Sequence, residues 1–114
     1  MSTKYITSSN NTYKTYVANL SQVGTSPPSV TVLDNTFVST MTWTYDSTGE
    51  YLLTSTNNDF VSGKTMLFIT PIDSAFIKIR RLSDNVINVG TQNISGVKTN
   101  GLLDNVSIEI RVYN

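Results

Sequence analysis

Neither cysteine nor histidine occurs anywhere in the 114 residues, and the two absences remove most familiar site chemistry at once. Without thiols there is no disulfide and no thiolate metal site to staple the fold. Without imidazole there is no Ser-His-Asp or Cys-His nucleophile system, no His-ligated metal and no zinc site. Charge is scarce too. Eight basic and eight acidic side chains cancel, and charged residues are only 14% of the chain, so no field of one sign points to nucleic acid or a membrane surface as partner. The only glutamates are Glu50 and Glu109, and most aspartates stand where turns need them, which leaves carboxylate-pair catalysis little to work with. In threes, Asp46, Asp59, Asp84 and Asp104 have the oxygens calcium needs, but they form no ligand loop of known spacing. Ser62-Gly63-Lys64 reads as a turn before a strand rather than a Ser-Lys pair, and no Gly-rich phosphate cradle is present. The expectation is a chain that is not an enzyme and uses no metal or cofactor.

Long apolar runs are also missing. The longest aliphatic-aromatic stretch, Met66-Leu-Phe-Ile69, is far too short to span a bilayer. The first ten residues lack the apolar core of a signal peptide, so the expectation is synthesis in the cytoplasm without secretion by that route. The Asn-x-Ser/Thr matches at Asn10, Asn93 and Asn105 are then incidental.

What the chain does contain is uncharged polar residues interleaved with apolar ones. Ser, Thr and Asn suit strands with wet outer faces joined by Asx- and ST-type turns, and they suit helix interiors poorly. Met41, Trp43 and Tyr45 alternate with Thr42 and Thr44, the period of two expected of a strand with one buried face. Asp46-Ser-Thr-Gly49 then predicts a four-residue loop, Gly49 taking the left-handed conformation, before the pattern resumes in Glu50 to Ser55. The lone tryptophan at Trp43 is read as a core anchor with its neighbours Met41 and Tyr45. Val106, Ile108, Ile110 and Val112 form the apolar row of a last strand, with Ser107, Glu109, Arg111 and Tyr113 on its other face; Ile108 and Ile110 are further anchors.

Tyr13 to Leu20 reads as a first strand covered at least partly on both faces, Ser21 to Pro28 as a crossing loop, and Val30 to Leu33 as a short strand. Thr65 to Thr70 has no polar face and predicts a central strand covered on both sides. Phe76–Leu82 and Val86–Val89 flank a three-residue hairpin loop, Ser83 to Asn85. Arg80 and Arg81 point to opposite faces and cannot act as one clamp. Gly90 to Leu103 carries a turn signal at Asn100-Gly101 but no clear period. Together these give an all-β, single-domain β-sandwich or jelly-roll-like fold of seven or eight antiparallel strands over residues 13–114. Residues 1–12 form a polar arm with little to bury, and Lys4, Tyr5 and Ile6 are its expected interface side chains.

The blocks Leu20-Ser-Gln-Val-Gly-Thr-Ser-Pro-Pro28, Val32-Leu-Asp-Asn-Thr36, Trp43-Thr-Tyr-Asp-Ser-Thr-Gly-Glu-Tyr51, Phe60-Val-Ser-Gly-Lys-Thr65 and Leu102-Leu-Asp-Asn-Val-Ser-Ile-Glu-Ile-Arg-Val-Tyr113 resemble a small module of tailed bacteriophages infecting Bacteroidetes-type hosts, including crAss-like phages. The resemblance implies a virion structural protein: a capsid decoration, head-fibre or tail-associated subunit. It would be a homo-oligomer, with a trimer favoured, in contact with other virion proteins. The alternative is a receptor- or glycan-binding β-sandwich that uses exposed tyrosines such as Tyr5, Tyr13 or Tyr113.

If Trp43 anchors the core, Trp43→Ala is expected to cost about 3–5 kcal/mol. Chemical denaturation followed by circular dichroism measures it; a loss near zero would move Trp43 to the surface.

Overall fold

Period-two alternation organises residues 12–114, the part of the chain that the computed structural model describes, into eight antiparallel strands and, among those residues, no helix. They are β1 (Tyr13–Ser21), β2 (Ser29–Asn35), β3 (Met41–Ser47), β4 (Glu50–Ser55), β5 (Thr65–Ile69), β6 (Ala75–Ser83), β7 (Val86–Asn93) and β8 (Val106–Tyr113). Two four-stranded sheets result, β2-β1-β8-β5 (sheet A) and β3-β4-β7-β6 (sheet B). Their inner faces share one apolar core, giving the expected β-sandwich. The arm lies outside the described residues, Lys4, Tyr5 and Ile6 included, except for Thr12, whose carbonyl accepts from Asn114 N at 2.8 Å.

Sheet A contributes Tyr16, Ala18 and Leu20 of β1 and the β8 row Val106, Ile108, Ile110 and Val112, while sheet B contributes Trp43, Tyr51, Leu53, Ile87 and Val89. Phe37, Phe60 and Leu103, on segments that pass between the sheets, close the ends. Of the five expected anchors, Trp43, Ile108 and Ile110 are buried; Met41 and Tyr45 are half-buried and pack against the same cluster. Trp43 is 7% exposed, and its indole N–H donates to the Tyr16 hydroxyl at 3.2 Å, a polar tie from one sheet to the other.

The organising hairpin is tighter than its sequence predicts. Pairing continues through Ser47 and Glu50, and the register shifts between Tyr45 and Ser47. Asp46 is therefore the extra residue of a bulge, leaving Thr48-Gly49 as the turn. The β6–β7 hairpin behaves the same way. Ser83 pairs with Val86, so its loop is Asp84-Asn85 rather than three residues, and the register shift falls between Arg81 and Ser83.

Two expectations are corrected. The apolar run in β5 is an edge strand, bonded only to β8, and its outward residues Met66 and Phe68 are exposed. Lack of a polar face had implied double coverage, but only Leu67 and Ile69 pack against the core. The strand buried on both faces is β7, where Ile87 to Thr91 are all buried. It escapes a hydrophobicity reading because its outward positions are Asn88, which is hydrogen-bonded, and Gly90, which lies beneath the Glu50 and Lys78 side chains. The second correction concerns Ser21–Pro28: this loop does not cross but returns the chain within sheet A, to pair β2 with β1. Passage between the sheets occurs at 36–40, 56–64, 70–74 and 94–105.

Gly49 is fixed by two independent constraints. Its φ is +71°, and an added Cβ would lie 2.5 Å from the Thr91 carbonyl oxygen and 2.9 Å from Thr99 N. Gly63 has φ +81° but open space around the same position. Gly63→Ala should therefore cost only the left-handed backbone penalty, about 1–2 kcal/mol, and Gly49→Ala clearly more. Equal losses in paired thermal melts would refute the close approach.

Candidate functional site

The outer face of sheet A is assembled by register. Opposed residues of antiparallel strands point the same way, so Tyr13 stands beside Tyr113, Arg111 between Thr15 and Met66, Glu109 between Val17 and Phe68, and Asn19 beside Ser107. The two tyrosine rings meet at 5.1 Å between centroids with planes tilted by 48°. Arg111 lies over this row: its guanidinium carbon is 4.8 Å from the Tyr13 centroid and 5.2 Å from that of Phe68. Its Nε donates to Glu109 Oε2 at 2.6 Å. The Glu109 carboxylate first, and then Tyr113, hold the guanidinium above its already high ordinary pKa, so this charge is permanent and internally matched.

Beside that row is an open depression of about 400 Å³, lined by Val17, Phe68, Ile69, Thr70, Pro71, Ser107, Ile108 and Glu109. At its rim Ser107 Oγ donates to Asn19 Oδ1 at 2.6 Å. Thr15 Oγ is the buried side-chain polar atom of the described residues that has no partner among them.

The outer face of sheet B has a smaller hollow of about 60 Å³ over Gly90, bounded by Glu50, Phe76, Lys78 and Gln92 among others. Glu50 is occupied there, accepting from Asn88 Nδ2 at 3.0 Å and pairing with Lys98 Nζ at 3.2 Å. At one end of the sandwich the buried Gln22 amide donates to the carbonyls of Val23, Gly24 and Ser26 and accepts from the Tyr51 hydroxyl and Gly101 N.

Of the tyrosines singled out in the sequence, Tyr13 and Tyr113 are brought together, half-buried against one another, and Tyr5 lies outside the described residues. Arg80 and Arg81 do diverge. Arg80 Nε donates to Asn88 Oδ1, while Arg81 Nε bonds the Phe60 carbonyl and its guanidinium pairs with Asp84. The aspartates do not converge: among the described residues no three His, Cys, Asp or Glu side chains are grouped to hold a metal ion. Asp59 instead accepts from Ser39 Oγ and Ser55 Oγ, each at 2.5 Å. Sequence reading missed Phe68, Arg111 and Glu109 as one group, because β5 and β8 are far apart in the chain and only their register joins them. Comparison of the chain with protein-family models, with curated proteins and with solved structures finds no match.

The buried phenols Tyr16 and Tyr51 give the fold an alkaline limit. Burial raises both pKa values above 10.0, opposed in part at Tyr16 by its Trp43 hydrogen bond and at Tyr51 by Thr91. A folded-state value above the unfolded one means that the native protein keeps a proton the unfolded chain has lost. Stability is then intact below about pH 10 and falls as pH rises beyond it. The melting temperature should drop above that pH, and Tyr16→Phe should flatten the decline; an unchanged slope in Tyr16→Phe would remove Tyr16 as its source.

Proposed function

We propose that this chain is a non-enzymatic structural subunit of a bacteriophage particle, a capsid decoration, head-fibre or tail-associated protein located in the virion. It acts by self-association and by docking to other virion proteins. The sequence resemblance supports the phage context, and β2 carries the association. All seven residues of that strand are exposed. Val30 and Val32 stand opposite Leu20 and Ala18 in the register and so face inward, yet Val32 remains 47% exposed, and Leu33, the extra residue where the pairing shifts register, 61%.

An edge strand that bares Val30, Val32 and Leu33, with no lysine or proline among its own seven residues, is a template for another chain. Its outer backbone groups are a ladder waiting for a partner, and its inner valines extend a core that stops short of them. Closed symmetric assembly satisfies such an edge in every copy, and a trimer is the favoured form. The arm, residues 1–12 with Lys4, Tyr5 and Ile6, adds a second attachment by lying along a neighbouring subunit or virion protein.

Sedimentation of the full chain should show an oligomer that Val32→Lys dissociates while leaving a cooperative melt. A wild-type monomer at high concentration removes the self-association. Deleting residues 1–12 should weaken assembly and leave the melting temperature of the sandwich nearly unchanged; a markedly less stable truncated monomer would make the arm a part of its own sandwich. Quantitative mass spectrometry of purified particles should find the chain at fixed copy number.

A further inference from the structure

We propose that the depression on the outer face of sheet A is a binding subsite for a neutral hexopyranose at the end of a glycan, a ligand role that goes beyond structural assembly and does not depend on it. A pyranose presents a ring face of C–H groups and a rim of vicinal hydroxyls, and it carries no charge. The depression offers a counterpart to each of these.

Phe68, 43% exposed, is the aromatic platform, with Val17 and Pro71 as the other apolar walls. The rim is polar. Glu109 uses Oε2 for Arg111, and Oε1 has no partner among the described residues, so it is free to accept from a hydroxyl. Next to it, Ser107 donates to Asn19 Oδ1, which leaves the serine lone pairs as acceptors and the Asn19 amide N–H groups as donors. Thr70, also in the lining, stands beside Ser107, to whose carbonyl its N–H donates at 3.0 Å, and adds a hydroxyl there.

Charge decides against other ligand classes. No cation lines the depression, and the nearby Arg111 is engaged by Glu109, Tyr13 and Phe68 together, so a phosphate or carboxylate finds no unmatched positive group. A peptide adding to the β5 edge is disfavoured here because Pro71 follows Thr70 and offers no N–H to a ladder. The volume, about 400 Å³, sits at the small end of ligand sites, roughly 300–1,000 Å³, which suits one ring rather than a long chain. Arg111 stacks on Phe68 before any ligand arrives, so little ordering remains to oppose binding.

The test is an amide NMR titration of the full chain with the methyl glycosides of glucose, galactose and mannose, with N-acetylglucosamine, and with glucuronate as the acidic comparator. Saturable shifts clustered at Val17, Phe68, Ser107 and Glu109 with at least one neutral sugar are expected. Phe68→Ala and Glu109→Gln, both at solvent-accessible positions and checked for unchanged melting, should each weaken binding roughly tenfold. Phe76→Ala, which removes an exposed aromatic from the opposite sheet, should bind like wild type. Any one of four results overturns the assignment: no saturable shift with any neutral sugar, shifts centred elsewhere, binding indifferent to Phe68→Ala, or a preference for glucuronate.

Discussion

A sandwich that buries tyrosine must give each phenol a partner or lose the hydration free energy of that hydroxyl, and much of this structure follows from how the chain meets that requirement. Tyr16 is met from the other sheet by Trp43. Tyr51 is met at the end of the sandwich by Gln22, whose carboxamide oxygen lies 2.7 Å from the phenol and also takes Gly101 N at 2.8 Å. The same side chain gathers three carbonyls of its own loop. One glutamine thereby sets the path of the β1–β2 connection, holds the segment entering β8 and ties sheet A to sheet B. Each buried partner stranded by its loss would cost about 1–3 kcal/mol.

That hub explains which parts of the fold were legible in the sequence. Alternation at Met41, Trp43 and Tyr45 and in β8 marks strands whose faces differ in polarity, and burial follows the pattern there. Gln22 carries no such mark, since a buried amide in a Ser-Gln-Val-Gly-Thr-Ser stretch looks like any solvated loop residue until Tyr51 is placed beside it. The exchanged roles of β5 and β7 have a related cause. Composition reports what a side chain prefers, whereas coverage depends on neighbours: Gly90 and Asn88 are covered because Glu50, Lys78 and Arg80 reach over or bond to them, and Met66 and Phe68 are bare because no further strand follows β5. The candidate site was legible only in fragments. Tyr13 and Tyr113 stood out singly, but their meeting, and the clamp of Arg111 on Phe68, depend on a register between β1, β8 and β5 that no local pattern states.

The two outer faces solve the same problem differently. Each holds a carboxylate matched to a cation, Glu109 to Arg111 and Glu50 to Lys98, and sheet B adds Lys78 and Arg80 on the same outer face. On sheet B the carboxylate is largely taken up by its own sheet through Asn88. On sheet A it stands at the edge of an open hollow beside an exposed ring, and polar capacity remains unspent. Meanwhile β2 leaves apolar surface uncovered at the far edge of sheet A, so the proposed association and the proposed sugar subsite use separate parts of the same sheet.

The pairing of β1 with β8 has a mechanical consequence. Tyr13 is matched to Tyr113 and Leu20 to Val106, and Thr12 and Asn114 are still hydrogen-bonded just outside the strands, so the described chain enters and leaves the sandwich side by side at one end. Ladder bonds of an antiparallel pair run perpendicular to the strands. Tension applied through these two ends would therefore load the bonds one at a time, opening the pair like a zipper, whereas a pull between opposite ends would shear them all together. Seated on a larger body, such a domain would yield readily to a pull on its paired ends while resisting forces applied across its sheets, and adjacent ends of this kind also suit insertion into the loop of another protein.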